Sequence, residues 1–151
     1  MNDTIEQLQY IIRHYATLLA KVSEPDFSEK RGPTKWSKKE ILGHLIDSAQ
    51  NNLRRFVVAQ YEEQPAIGYD QDKWVSAANY REYNTPDLLA LWTLLNKHIC
   101  MVLRNMDETA RLRECKSPVE LYSIEWLAAD YNKHLLHHLH HLLSLEPVPY
   151  P

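Results

Sequence analysis

The chain has 151 residues, 44% apolar and 25% charged, and a formal net charge of −3, which fits one compact soluble domain with its own core. That charge argues against a general nucleic-acid binder, which needs a clustered excess of Lys and Arg, and no run of about 18 apolar residues offers a membrane span. The opening MNDTIEQLQY lacks a basic region followed by an apolar one, and Cys100 and Cys115 form neither a disulfide framework nor a CxxC motif, so free thiols and a cytoplasmic location are expected.

Three glycines are few for a fold built on tight turns, which favours helices. From residue 4 to about 22, Ile5, Leu8, Ile11, Ile12, Tyr15, Leu18 and Leu19 recur at helical spacing and predict an amphipathic helix. SEPDFSEKRGPTK follows as a turn-forming connection. A second helix is announced by Ser37 as N-cap, Glu40 as its capping-box partner and a Trp36–Ile41 staple, and runs to about residue 60. Residues 61–84, rich in aromatic and acidic side chains without a sustained period, predict a long ordered loop with at most a short helical turn, of the kind that walls or covers a site.

The third helix is expected to start with Thr85 as N-cap and Pro86 at its first position. After a connection through SPVELYSIEW, the fourth runs from about residue 123 to 145, where Pro147, Pro149 and Pro151 prevent continuation. Together these segments predict an all-α four-helix bundle with a long loop between its second and third helices. The connections are too long to guarantee a simple up-down order.

The last helix carries HLLHHLHH, five of the chain's eight histidines. At about 100° per residue, His134 and His138 fall about 40° apart with Cβ atoms roughly 6 Å from one another. Both lie at the edge of the arc set by Ile124, Leu127, Tyr131, Leu135, Leu139, Leu142 and Leu143. His137, His140 and His141 point further towards solvent. In the second helix, His44 lies just off the stripe of Leu42, Leu45, Ile46, Ala49, Leu53 and Phe56, beside a polar strip of Ser48, Asn51, Asn52 and Arg55. Asp47 stands close enough along the helix to orient an imidazole. His14 and His98 have no partner at ligand spacing. Each histidine alone reads equally well as a satisfied edge-of-core residue. The combination of His44, His134 and His138 gains weight because both helices place imidazoles at core edges, as a three-ligand metal site with open positions requires.

WSKKEILGHLIDSAQNNLRRF from Trp36 and HLLHHLHHLL from His134 resemble the DinB/YfiT-like superfamily of metal-dependent enzymes. The first is similar to that family's tryptophan-initiated second helix with a histidine and a following aspartate. The second resembles its HxxHHxxQ-like fourth helix, in which the first and last histidines bind metal; GYDQDKWVSAANY from Gly68 resembles the stretch between them. The resemblance implies His44, His134 and His138 as ligands, the same trio the helical positions favour. His141 departs from the pattern, standing where glutamine is common. A bundle of distinctive connectivity, frequently dimeric, is also implied.

Three imidazoles suit a borderline divalent ion, Zn or Ni first and Mn or Fe as further candidates. Open positions would take a water for hydrolysis or a thiol as thiolate. Relatives of the resembled family imply transfer of a low-molecular-weight thiol, such as bacillithiol or mycothiol, to an electrophile; the broader family implies hydrolysis. On either reading Arg55 and Asn52 would contact a polar or anionic part of a small-molecule substrate, Asp47 would tune His44, and Tyr69, Trp74 and Tyr80 would line an apolar pocket. No nucleic acid and no membrane is expected as partner, and a homodimer is. The alternative is a non-catalytic bundle with a structural or vestigial metal site, acting through dimerisation or partner binding.

Overall fold

The computed structural model describes residues 1–117 and 120–150. Pro151, expected to help stop the last helix, lies outside them, as do Pro118 and Val119 of the final connection. Four long helices dominate: α1 (Asn2–Leu19), α3 (Lys38–Val58), α5 (Thr85–Asn105) and α7 (Ile124–Leu143). Between them lie α2 (Glu24–Ser28), α4 (Gln71–Ala78), a 3-10 turn (Tyr80–Glu82), α6 (Glu108–Arg111) and the strands β1 (Glu114–Ser117) and β2 (Glu120–Ser123).

Each long helix packs against two others. α3 touches α5 and α7, and α1 touches the same two. α1 and α3 therefore face each other across a diagonal, as do α5 and α7, and the connections from α1 to α3 and from α5 to α7 make these crossings. The amphipathic stripes meet in one core, where Trp92, Tyr131, Phe27 and Phe56 are the bulkiest fully buried side chains.

Capping explains where α3 and α7 begin. Ser37 Oγ accepts from Glu40 N at 3.2 Å while Glu40 Oε2 accepts from Ser37 N at 2.7 Å, the reciprocal box read from the sequence. Ser123 caps α7 by accepting from Trp126 N. That helix ends at Ser144, held in the left-handed region at φ 56°. One cap differs from expectation: Asn84, not Thr85, caps α5, accepting from Asp87 N. Thr85 is the first helical residue, and its hydroxyl donates to Glu24 instead.

The connections hold more structure than their sequences suggested. α2, capped by Ser23, drives Phe27 into the core. The aromatic loop contains α4, capped by Asp70 and closed by Asn79 at φ 52°. The last connection departs from the all-helical expectation, since β1 and β2 form an antiparallel hairpin with Cys115 opposite Tyr122. Four-residue strands carrying ECKS and ELYS show no alternation long enough to read as strand. This hairpin positions the site: Lys116 N donates to Pro65 O and Lys116 O accepts from Ile67 N, so the loop after α3 is pinned beside Arg55.

Candidate metal centre

The contact between α3 and α7 brings His44, His134 and His138 together. Each offers one ring nitrogen, and the three lie within 4.8 Å of one another. Ring centroids are 5.1 Å apart for His44–His134, 4.7 Å for His44–His138 and 4.5 Å for His134–His138. His44 is fully buried, deeper than its edge-of-stripe position predicted, because α3 is covered on almost every side. The Trp36 ring packs over it at 5.2 Å.

Burial is the main reason all three imidazoles are held neutral, at about 4 for His44, about 2 for His134 and about 3 for His138. Mutual repulsion deepens the last two, whereas the Asp72 carboxylate of α4 works in the opposite direction on His44. Neutral imidazoles keep a lone pair for a metal.

The donor set fits a divalent ion. His44 Nε2 and His134 Nε2 face each other at 3.1 Å, while His134 Nδ1 meets Ser48 Oγ at 3.3 Å. With His134 donating from Nδ1–H to Ser48, its Nε2 presents a lone pair. His44 Nδ1 is buried without a partner among the described residues. If the His44 proton sits there, the two Nε2 lone pairs point at one another, a repulsion that a cation between them relieves. Nitrogens bound to one tetrahedral Zn²⁺ at roughly 2.0–2.1 Å lie roughly 3.3 Å apart, close to the spacing observed.

A polar ladder along α3 supports His134. Asn52 Nδ2 donates to Ser48 O at 2.9 Å and to Ser48 Oγ at 3.3 Å, and Arg55 Nη1 donates to Asn52 Oδ1 at 3.2 Å. Arg55 Nε donates to Ile67 O at 3.0 Å. Asp47 is placed differently from the expectation: it accepts from the Tyr80 hydroxyl, and no hydrogen bond joins it to His44 among the described residues. Burial pushes its carboxyl up to about 7, against the lowering effect of Tyr80.

Two cavities that share no lining residue border the trio. One, of about 500 Å³, is bounded by His138, His141, Trp36, Lys35, Arg31 and Asp72 among others. The other, of about 280 Å³, is bounded by His134, Ser48, Asn52, Arg55, Tyr69 and Tyr150 among others. Tyr69, pushed up to about 12 mainly by burial, thus joins the site. Trp74 stands edge-on to Tyr69 at 5.5 Å but lines a separate shallow hollow. Tyr80 is buried over Gly43.

The remaining histidines divide. His137 and His140 are half-buried and bonded to the segment after α7, while His141 is exposed. His14 and His98 are exposed. Sequence reasoning missed Asp72 and Tyr150 as site residues. A tyrosine beyond two prolines was the only signal for the latter.

Comparison with known proteins bears on the family and the fold. The family model of the DinB superfamily matches residues 7–142. A curated relative named "Putative metal-dependent hydrolase" in Oceanobacillus iheyensis is 28% identical over 149 residues, spanning 96% of this chain and 85% of that protein. A protein of the same description from Halalkalibacterium halodurans is 24% identical over 142 residues, spanning 91% and 81%. YfiT from Bacillus subtilis, whose structure is described as a probable metal-dependent hydrolase with an unusual four-helix bundle topology, aligns at a TM-score of 0.84 and 23% identity over 95% of this chain and 83% of its own. The mycothiol-dependent maleylpyruvate isomerase aligns at 0.75 and 15% identity over 97% of this chain and 61% of its own. At these identities the two structures establish the shared fold.

Proposed function

From the premise that this chain belongs to the DinB superfamily, we propose that it is a metal-dependent enzyme acting on a small molecule, with His44, His134 and His138 as the metal ligands. The observation that carries this reading is the convergence of three neutral imidazoles from α3 and α7 within 4.8 Å. Zn²⁺ or Ni²⁺ suits that donor set best, with Mn²⁺ and Fe²⁺ following.

A bound divalent ion supplies a Lewis acid that turns water or a thiol into a nucleophile near neutral pH. The chain's own residues do the rest. Ser48 holds the ring plane of His134 through its Nδ1. Arg55 and Asn52 engage a polar or anionic part of the substrate, and Tyr69 forms a wall beside them, itself braced by Trp74. Trp36 packs over the His44 ring and forms one wall of the larger cavity.

Between hydrolysis and thiol transfer, the paired cavities favour transfer. His138 borders one and His134 the other, which suits two organic reactants meeting at one centre. The second reading, hydrolysis, is favoured by the description given to the curated relatives.

The test is elemental analysis of the purified protein, followed by titration with Zn²⁺, Ni²⁺ and Mn²⁺. At a hundredfold excess over Kd the stabilisation should be about 2.7 kcal/mol, a rise in Tm of roughly 5–10 °C. His134→Ala should abolish metal uptake and turnover while keeping the helical circular dichroism. A protein that holds no metal and shows no rise in Tm with any of the three sinks the proposal.

A further inference from the structure

The smaller cavity contains a charge without an ionic partner. Arg55 is only 9% exposed, yet both of its hydrogen bonds go to neutral acceptors, Ile67 O and Asn52 Oδ1. It makes no ion pair among the described residues. A buried cation in that position is costly unless a counter-charge reaches it. Its Nη2 donates to nothing among the described residues, and a guanidinium fork is shaped for a carboxylate. Asp130 also borders the cavity and acts on Arg55 through space, but no ion pair joins the two, and its Oδ2 accepts from the Tyr150 hydroxyl at 2.8 Å.

Tyr150 reaches the cavity from the segment that follows α7. That segment is splinted by the histidines left over from the trio. A carbonyl can only accept, so His140 donates from Nδ1–H to Glu146 O at 2.6 Å and His137 from Nδ1–H to Val148 O at 2.8 Å. The first assignment leaves His140 Nε2 as acceptor for the Tyr15 hydroxyl at 2.6 Å, so it is consistent on both sides of the ring. Pro147 and Pro149 stiffen the same stretch. The Tyr150 ring ends 5.4 Å from that of His134.

We infer that this cavity seats a small carboxylic acid, with Arg55 as its counter-ion and Tyr150 as the wall that sets its size. This assignment rests on reading the trio as a reaction centre, since His134 is part of the same lining. The volume of about 280 Å³ lies at the lower end for small-molecule sites, which restricts the acid to a compact one.

The experiment is calorimetric titration of the full chain with propionate and 1-naphthoate, Zn²⁺-loaded and chelator-treated, alongside Arg55→Gln, Arg55→Lys, Tyr150→Phe and Tyr150→Ala. Propionate should bind the parent protein. Arg55→Gln should weaken it about tenfold or more and Arg55→Lys less, because the fork of charge-assisted bonds is lost in both but the charge only in the first. Tyr150→Ala should raise the affinity for 1-naphthoate relative to propionate about tenfold, and Tyr150→Phe should leave the ratio unchanged, a shift in selectivity that loss of packing alone does not produce. Circular dichroism and Zn²⁺ content identify any variant that fails to fold. Propionate binding that survives Arg55→Gln overturns the inference, and so does binding that vanishes on chelation while remaining equal in Arg55→Gln, which would seat the acid on the metal. Failure of the protein to bind Zn²⁺ would overturn the metal reading and leave the Arg55 comparison readable by itself.

Discussion

At Gly43 a single absent carbon sets the geometry of the helix that carries His44. A Cβ built there would lie 2.1 Å from Tyr80 Cδ2 and 2.3 Å from Cγ, so the Tyr80 ring occupies the place of a side chain and reaches Asp47 with its hydroxyl. Gly43→Ala gains about 1 kcal/mol of helix propensity but must displace an aromatic ring in a packed core, which typically costs about 1–3 kcal/mol, and it breaks a bond to a buried carboxyl. Urea denaturation should show net destabilisation. In a Tyr80→Ala background the same substitution should be neutral or stabilising, because the clash is gone. Equal losses in both backgrounds would refute this account. Nothing in the sequence signals this contact, because Tyr80 reaches Gly43 only through the tertiary fold.

Elements were legible where their signals are local. The capping box at Ser37 and Glu40 was read correctly because its bonds span three residues, and the start of α7 was placed to within a residue, although its Ser123 cap was not read. The α5 cap was misplaced by one residue, since Asn84 and Thr85 are both good capping types and the choice is made by Glu24, far away in sequence, which claims the Thr85 hydroxyl. The hairpin was missed because its strands are too short to show a period, and its parallel bridge to Ala66 is a long-range pairing. Ser37 is 1% exposed, so Ser37→Ala should cost about 1–2 kcal/mol in thermal or urea unfolding, at the upper end for a cap. Adding Glu40→Ala should cost less than it does alone, since both residues serve one reciprocal pair. Strict additivity would count against the box as a unit.

Over the whole molecule, spacing and resemblance together singled out the two helices and the three histidines that the fold gathers within 4.8 Å, whereas the two cavities could not be read, because loop, hairpin and trailing segment build them. Acid stability depends on a similar long-range junction. Glu24 of α2 accepts from Lys39 of α3 and Thr85 of α5, and these bonds, Lys39 first, hold its carboxyl at about 2 rather than 4.5. The folded state therefore binds this proton less readily than the unfolded chain, so the contribution is present above about pH 4.5 and drains away as the pH falls towards about 2. The urea midpoint of Glu24→Gln should lie below that of the parent protein at pH 6, and the gap should close through this window. A gap independent of pH would remove Glu24 from the acid response. The trio also has a consequence for chain entropy. His44 and His134 stand 90 residues apart, so an ion held between them, as proposed, would act as a reversible cross-link closing most of the chain into a loop. The cost of closing a loop grows only with the logarithm of its length, so such a clasp restrains a long span for little more than a short one. Loading would then strengthen the docking of α3 on α7 first, and the unfolding rate of the entire bundle would follow the occupancy of three side chains.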